Sequence, residues 1–166
     1  MEAFKSLPEG TLVELIDGII IMSPMRNVAH QQVLGKICIE IHRFVDAAKV
    51  GEMFMGPLDT YLDEHSNAVQ PDLQVILKEN LGIMGDDGYI HGSPDMILEV
   101  LMPESRDHDL ITKKELYARF GVKEYWVIDP ADKLAIGYRL ENKRYSEFHR
   151  KAGAISSRLL DFSFEF

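Results

Sequence analysis

Ionisable side chains stand inside two apolar segments near the middle of the chain. Residues 94–101, PDMILEVL, have the composition of a buried β-strand and carry Glu99 at its centre. Residues 109–117, DLITKKELY, are typical of a helix, and Lys113 falls on its apolar face. A buried charge is costly unless it is paired or bound to a metal. The two segments therefore predict a site built inside a core, although a single acid in a strand can also face solvent.

Helical phase separates Lys113 from its neighbour Lys114. With Leu110 at zero and about 100° per residue, the apolar side chains fall on an arc from roughly 240° to 340°, and Lys113 falls near 300°. Lys114 falls near 40° on the same wheel, roughly on the flank of the arc. The alternative is that Lys113 lays its methylenes on apolar surface and keeps its amine in water. The central position favours Lys113 as the functional lysine.

Asp72 is the predicted partner of Glu99. It follows Pro71 where the mostly apolar strand 73–77 begins. A lone aspartate at such a position is equally well explained as a residue that ends a loop or caps a turn. However, Mg²⁺ prefers oxygen ligands and usually takes only one or two protein carboxylates. Asp72 and Glu99 on adjacent strands would supply that set.

Three further residues are weaker candidates. Glu14 interrupts an apolar strand and either joins the carboxylates or faces solvent, and His30 lies in the first turn of a long helix, where capping or surface roles are common. Asp95 follows Gly-Ser-Pro at a strand entrance and favours the loop interpretation. The histidines show no paired metal-ligand spacing, which argues against a zinc site.

Composition limits the class of protein. A chain of 166 residues, 46% hydrophobic and 27% charged, is expected to form one domain, residues 1–166, with a sizeable core. No apolar run approaches the roughly 18 residues of a membrane span, and the N-terminus does not resemble a secretory signal. The single cysteine, Cys38, excludes an internal disulfide and is expected to be buried. These features predict a cytoplasmic protein without a membrane segment.

The formal net charge of −9 complicates any role with nucleic acid, because neutralising phosphates drives affinity for a duplex. A local basic surface, a partner or a dimer groove would have to supply the positive charge that binding a duplex requires. Alternatively, the substrate would have to be small.

The order of elements predicts a mixed central β-sheet flanked by helices, an α/β (α+β) fold. Asp17 and Gly18 between two apolar runs predict a hairpin, and Asn27 is expected to cap a helix that ends before Gly51. A second helix is expected over 109–120, ended by Gly121. The remaining strands are expected at about 58–62, 71–77, 96–101, 125–129, 134–140, 144–149 and 159–164, all completing the sheet.

These residues resemble the Uma-two family, an endonuclease group in the PD-(D/E)XK, restriction-endonuclease-like superfamily. The matching motifs run in the expected order from about Phe4 to Pro130: ELIDG at 14–18, His30, QPD at 70–72, PDMILEV at 94–100, Asp109, Lys113, Tyr117 and GVKEYWVID at 121–129.

The resemblance implies a restriction-endonuclease-like fold in which Asp72 and Glu99 are metal ligands. The superfamily's usual lysine would stand two residues after Glu99, where this chain has Leu101; the resemblance implies that the helix residue Lys113 replaces it. Glu14 is similar to the acid on the first element of such folds, and His30 matches a family histidine. Met102 stands where many relatives have serine, which removes any role for that hydroxyl.

Three functions fit this sequence. The first is a Mg²⁺- or Mn²⁺-dependent DNA endonuclease that uses Asp72, Glu99 and Lys113, supported by Glu14, His30 and Asp95. The second is a nuclease-fold interaction module with little or no catalysis, which the acidic total favours. The third is hydrolysis of another phosphodiester. Nucleases on this fold often pair sites across two strands, so a homodimer is also expected by analogy.

Overall fold

The computed structural model describes residues 1–8 and 10–166 of the chain, which form three β-sheets and three α-helices. The elements in chain order are α1 Glu2–Lys5, β1 Val13–Ile16, β2 Ile19–Met22, α2 Val28–Ala48, β3 Gly51–Met55, β4 Thr60–Tyr61, β5 Ala68–Val69, β6 Leu73–Leu77, β7 Ile90–His91, β8 Met96–Val100, α3 Lys114–Arg119, β9 Glu124–Ile128, β10 Leu134–Glu141, β11 Arg144–Ala152, β12 Ala154–Ser157 and β13 Phe162–Glu165. Short 3-10 segments cover Lys78–Ile83 and Pro103–Ser105, and a π-helical turn, His108–Lys113, leads directly into α3.

The central sheet has six strands in the order β11-β10-β9-β8-β6-β3. Only β8 and β9 run parallel, and the other neighbours are antiparallel, so the sheet is mixed as the sequence predicts. The loop between β8 and β9 contains the π-helical turn and α3, which cross over one face of the sheet. This parallel connection carries the residues of the predicted site.

The two faces of β8 enter different cores because side chains alternate along a strand. Met96, Leu98 and Val100 pack in a cluster with α2, whereas Ile97 and Leu101 pack with Tyr117 of α3. Glu99 lies on the second face, between strand and helix, and is only 2% exposed. The predicted strand that is covered on both sides is therefore confirmed.

A second sheet, in the order β2-β1-β5-β4-β7, lies beside the first. Its β1–β2 hairpin turns at Asp17 and Gly18, with φ values of 50° and 80°, as a turn of the predicted kind requires. The register pairs Ile16 with Ile19 and Val13 with Met22. This hairpin brings Glu14 of β1 over the same face as Glu99.

Helix α2 begins as predicted, because the side chain of Asn27 accepts a hydrogen bond from the backbone N–H of His30 at 2.9 Å. The predicted terminator is wrong. Lys49 takes the left-handed conformation at the end of the helix, with φ at 53°, and Gly51 starts strand β3. Glycine is needed there because a Cβ atom would collide with the backbone carbonyl of Ile76.

Other boundaries differ from the sequence prediction. Strands β3, β5, β7 and β12 were not predicted, and β13, which was expected to complete the central sheet, pairs with β12 in a separate two-stranded sheet. The helix predicted over 109–120 begins with a π-helical turn. Within the described residues, no helix has the length and apolarity that a membrane span requires.

Candidate active site

Lys113 stands at the end of the π-helical turn and is 5% exposed. Its ammonium lies 2.8 Å from Glu14 Oε1, 3.0 Å from Glu99 Oε1 and 3.5 Å from Asp109 Oδ1. A lysine with its amine in water would not be enclosed by three carboxylates, so the surface alternative for Lys113 is wrong. Lys114 points elsewhere, with its amine 3.9 Å from the ring centroid of Tyr138.

The ion pairs keep Lys113 charged. Burial alone would lower its pKa, but the charges of Glu14, Glu99 and Asp109 raise that pKa well above 10.5. The π-helical turn adds a residue to the usual helical repeat, and such turns are frequent at functional sites. The lysine is consequently a fixed positive charge facing the strands.

Glu99 is bonded on both carboxylate oxygens. Its Oε1 accepts from Lys113 Nζ and from the hydroxyl of Tyr117 at 2.8 Å, and its Oε2 accepts from the backbone N–H of Asp72 at 3.2 Å. Burial raises the pKa of Glu99 to about 8; Lys113 opposes that shift, and the charges of Asp72, Asp109 and Glu14 add to it. The surroundings of Glu99 thus make its carboxyl easier to protonate than an ordinary glutamate, and added positive charge in the site would lower its pKa again.

Asp72 stands directly before β6 and is tied to β8. Its Oδ2 accepts from the backbone N–H of Val100 at 2.9 Å and lies 2.9 Å from His30 Nε2, while Arg26 reaches Oδ1 at 3.2 Å. Burial would raise the pKa of Asp72, but His30, Arg26 and the Val100 N–H lower it. Asp72 thus accepts from the Val100 backbone with its side chain and donates its own backbone N–H to the Glu99 carboxylate, which ties the two strands together.

Glu14 is the third buried carboxylate of the sequence prediction. Besides Lys113, it accepts from the backbone N–H of Gln70 at 3.0 Å and lies 3.4 Å from His108 Nε2. Burial would raise its pKa, but the charge of Lys113 and hydrogen bonds from His108, Lys113 and Gln70 lower it to about 2. Glu14 and Asp72 are thus the carboxylates of the cluster whose pKa values are lowered, which favours their ionised forms.

The structure thus brings together five of the six residues that the sequence singled out: Glu14, His30, Asp72, Glu99 and Lys113. They line one cleft of about 340 Å³ beside the β1–β2 hairpin. The cleft is lined by five carboxylates, from Glu14, Asp72, Glu99, Glu104 and Asp109, against two permanent cations, Arg26 and Lys113. It holds an excess of negative charge, which a divalent cation would offset.

The donor set fits a hard divalent cation. Asp72 and Glu99 offer oxygen ligands from adjacent strands, and Mg²⁺ commonly takes one or two carboxylates and completes its shell with water and substrate oxygens. Within the described residues, no three His, Cys, Asp or Glu side chains stand ready as a complete metal-binding group. Asp72 and Glu99 would thus leave most of the coordination sphere of such an ion to water and substrate oxygens.

Asp95 lies outside this cleft. At the opposite end of β8, it accepts from the backbone N–H of Leu77 at 2.8 Å and pairs with Lys123 at 2.7 Å. Its bonds join β6, β8 and the entrance to β9, so its role is to hold strand ends together. The expectation that Asp95 supports the residues of the site is therefore wrong.

Four residues of the cluster were not predicted as site residues: Arg26, His108, Asp109 and Tyr117. Two of them had a signal in the sequence. Asp109 and Tyr117 stand four residues before and after Lys113, the spacing that places helical side chains next to one another. Arg26 lies in an irregular segment and His108 is the first residue of the π-helical turn, in a stretch that the sequence predicts as a loop, so no periodicity indicates the direction of either side chain.

The fold formed by these elements has a solved relative. A crystal structure of a "putative nuclease belonging to DUF820" from Anabaena variabilis superposes with a TM-score of 0.72, over 89% of this chain and 82% of the other, at 22% identity. A type IIG restriction endonuclease, BpuSI, matches with a TM-score of 0.37 over 69% of this chain and 11% of its own, at 10% identity. The match to BpuSI is too weak to support a statement about fold or function.

The family is shown by the sequence itself. The family model Uma2, described as "Putative restriction endonuclease", matches residues 1–165, and the chain belongs to that family. No curated protein matches the chain.

Proposed function

We propose that this protein is a metal-dependent endonuclease that hydrolyses DNA phosphodiester bonds, with residues 1–166 as one catalytic domain. The observation that carries the proposal is the buried ammonium of Lys113 among Glu14, Glu99 and Asp109, in a cleft that Asp72 also lines. The family and the fold relative support a nuclease. A cytoplasmic location and a homodimer belong to the same proposal.

Asp72 and Glu99 would hold Mg²⁺ or Mn²⁺. When bound, such an ion polarises a phosphate oxygen and lowers the pKa of a coordinated water. Glu99 is suited to respond to it, because its pKa of about 8 reflects burial among other carboxylates. Added positive charge would favour the ionised form of Glu99 and release its proton.

Lys113 would act as a charge and not as a base. Its raised pKa keeps the ammonium protonated at neutral pH. An ammonium held in place can orient a water molecule and stabilise negative charge that develops on phosphate oxygens. Glu14 and Asp109 are positioning residues that keep the ammonium at the floor of the cleft.

His30 is a second positioning residue. Its Nε2 lies 2.9 Å from Asp72 Oδ2, and the ring is buried at the start of α2. A histidine hydrogen-bonded to a ligating carboxylate fixes the direction of that carboxylate. The hydrogen bond from the His30 N–H to the Asn27 side chain caps α2 and also fixes the backbone of His30. The same contact therefore stabilises the helix terminus and positions a residue of the site.

The test is metal-dependent relaxation of supercoiled plasmid DNA. Wild type is expected to nick DNA with Mg²⁺ or Mn²⁺, and Glu99→Gln is expected to lose at least about a hundredfold in rate because it removes a ligand charge without changing size. Asp95→Asn is the matched control, a buried carboxylate outside the cleft, and is expected to retain activity. Thermal melting of wild type and of both variants establishes folding.

The results separate the possibilities. If folded wild type leaves plasmid intact across both metals, the endonuclease proposal fails. Equal cutting by wild type and Glu99→Gln would instead show that another site acts.

One observation favours the interaction module as the second candidate. Every carboxylate oxygen of Asp72 and Glu99 already accepts a hydrogen bond from the chain, so the cluster is satisfied without an ion. Calorimetric titration with Mn²⁺ distinguishes the two. Absence of binding at millimolar Mn²⁺ supports the module, whereas binding that Glu99→Gln abolishes supports the nuclease. Hydrolysis of bis(p-nitrophenyl) phosphate without cutting of DNA would support another phosphodiester as the substrate.

A further inference from the structure

A basic groove lies on the other side of the helical segment that carries Lys113. The groove, of about 640 Å³, runs between this segment and the turn that joins β10 to β11. Its lining includes four cations, Lys114, Arg119, Lys143 and Arg144, and a single carboxylate, Glu115. A net positive lining is notable in a chain whose formal charge is −9, because acids outnumber cations over the rest of its surface.

The turn fixes two of these cations at the edge of the groove. Asn142 and Lys143 have φ values of 50° and 63°, as a two-residue hairpin turn requires, and Glu141 pairs with Arg144 in the ladder. Both cations are exposed. Within the described part of the chain, no carboxylate lies within ion-pair distance of Lys143 or Arg144. Two positive charges at the mouth of the groove are thus left uncompensated.

The other two cations already have partners inside the molecule. Arg119 Nη2 lies 2.6 Å from Asp17 Oδ1 at an exposed ion pair, and the amine of Lys114 lies over the ring of Tyr138. Both contacts hold the side chains along the outer side of the helical segment. Both side chains line the groove.

The helical segment itself joins the two sites. Asp109 and Lys113 line the cleft, while Leu110, Ile111 and Lys114 line the groove. Because consecutive residues of a helix project in directions about 100° apart, a ligand that crosses this segment touches both. A polymer with regularly repeated negative charges can place one charge in the cleft and others on Lys143 and Arg144.

We propose that this groove binds the phosphate backbone of the nucleic acid whose phosphodiester is cut in the cleft. The inference rests on the proposed nuclease function and assigns Lys143 and Arg144 as contacts that hold the strand, with no part in the chemistry. It explains how an acidic protein engages a polyanion: the contact is confined to one basic surface beside the site. Contacts of this kind position the backbone and carry no sequence information.

The experiment measures binding of a fluorescently labelled DNA duplex by anisotropy, in EDTA so that no metal-dependent cutting occurs, over a series of salt concentrations. The Lys143→Gln/Arg144→Gln double variant is expected to bind at least about tenfold more weakly at low salt, with a log–log salt slope smaller by about 1.8, the value for two lost phosphate contacts. The control is Lys36→Gln/Arg43→Gln, which removes the same charge from exposed positions of α2.

A loss of DNA affinity in Lys143→Gln/Arg144→Gln but not in Lys36→Gln/Arg43→Gln supports the proposal. Equal losses in both double variants would show a general charge effect and overturn it, as would a groove variant that binds like wild type. All of these substitutions are at exposed positions, so melting temperatures are expected to stay near that of wild type.

Hydrolysis of bis(p-nitrophenyl) phosphate separates this inference from the proposed function, because the small diester cannot span cleft and groove. The groove variant is expected to keep that activity and lose plasmid cutting. If wild type binds DNA through the groove but hydrolyses neither substrate, the nuclease proposal fails and the groove stands. If wild type cuts plasmid and the groove variant cuts equally well, the groove proposal alone fails.

Discussion

The two sides of the helical segment 108–119 use the same residue types in opposite ways. On the inner side, Lys113 is buried and bound to three carboxylates; on the outer side, Lys143 and Arg144 approach the helix from a hairpin turn and are exposed. A buried charge interacts strongly with near neighbours and little with salt, whereas an exposed charge acts at longer range and is screened. The inner cation is thus tied to stability, and the outer cations are available to a ligand.

The largest expected effect is at the inner cation. Lys113→Met leaves buried carboxylates without their counter-charge and is expected to cost about 3–5 kcal/mol of unfolding free energy at pH 7.5. Lys114→Met, the adjacent residue on the other side, loses a contact with an aromatic ring and is expected to cost below about 1 kcal/mol. Urea unfolding measures both. Equal losses would contradict the distinction between the two sides.

The second prediction concerns pH. The folded-state pKa of Glu99, about 8, is above its ordinary value of 4.5, so the folded protein holds a proton that the unfolded chain releases. Its contribution to stability is full below pH 4.5 and is lost as the pH rises through 8, with a slope of at most about 1.4 kcal/mol per pH unit. The raised pKa of Asp109, due to burial, acts in the same direction.

Glu99→Gln is therefore expected to flatten the fall in unfolding free energy between pH 5 and 8.5, measured by urea unfolding. Glu14 does not disturb this window, because its lowered pKa makes stability fall only toward pH 2. A variant with the same pH slope as wild type would show that Glu99 is ionised in the folded state.

A third, smaller effect is expected at Tyr117. Tyr117→Phe removes a 2.8 Å hydrogen bond to Glu99 and is expected to cost about 1 kcal/mol. Tyr125→Phe is the matched control, since its hydroxyl donates to the backbone carbonyl of Asp109 instead of to a carboxylate. Only Tyr117→Phe should also shift the pH dependence of unfolding. If both variants shift it equally, the hydroxyl of Tyr117 does not act on Glu99.

The smallest effect is expected on the outer side. Arg119→Gln breaks the exposed pair with Asp17, and its cost should stay below about 1 kcal/mol at low salt. In 1 M NaCl, where the Debye length is about 3 Å, the difference from wild type should vanish. Thermal melting at the two salt concentrations measures it. By contrast, the loss in Lys113→Met should persist in 1 M NaCl, since that lysine is buried.

The features that could be predicted from the sequence are those that follow from the spacing of apolar residues or from residue type. Glu99 was recognised because its strand is apolar on both faces, and Lys113 because of its phase on a helix. The hairpin followed from Asp17 and Gly18, whose conformation is nearly specified by residue type. An α-helical wheel identified Lys113 correctly even though residues 108–113 form a π-helical turn, because the side chains of Lys113 and Lys114 still point to different sides of the helical segment.

The strands and the groove that the sequence did not predict depend on contacts between segments that are distant in the chain. Strand β3 was hidden because Gly51 is typical of a helix end, while its actual reason is the close approach of Ile76. Strands β5 and β7 have two residues each, too few for a repeating pattern. The basic groove joins residues near 114 to the turn at 143, and only the packed fold shows that they are neighbours.

The position of Glu14 has a consequence for how the protein folds. Its partners are far along the chain: Gln70 is 56 residues away and His108 is 94. Pairings at such separations carry a large loop-closure cost and form only when distant segments have met. The acidic cluster is thus expected to assemble late, after α2 has packed on the central sheet. Protection of the Gln70 amide from hydrogen exchange would then report complete folding of the chain, since that N–H is bonded to Glu14.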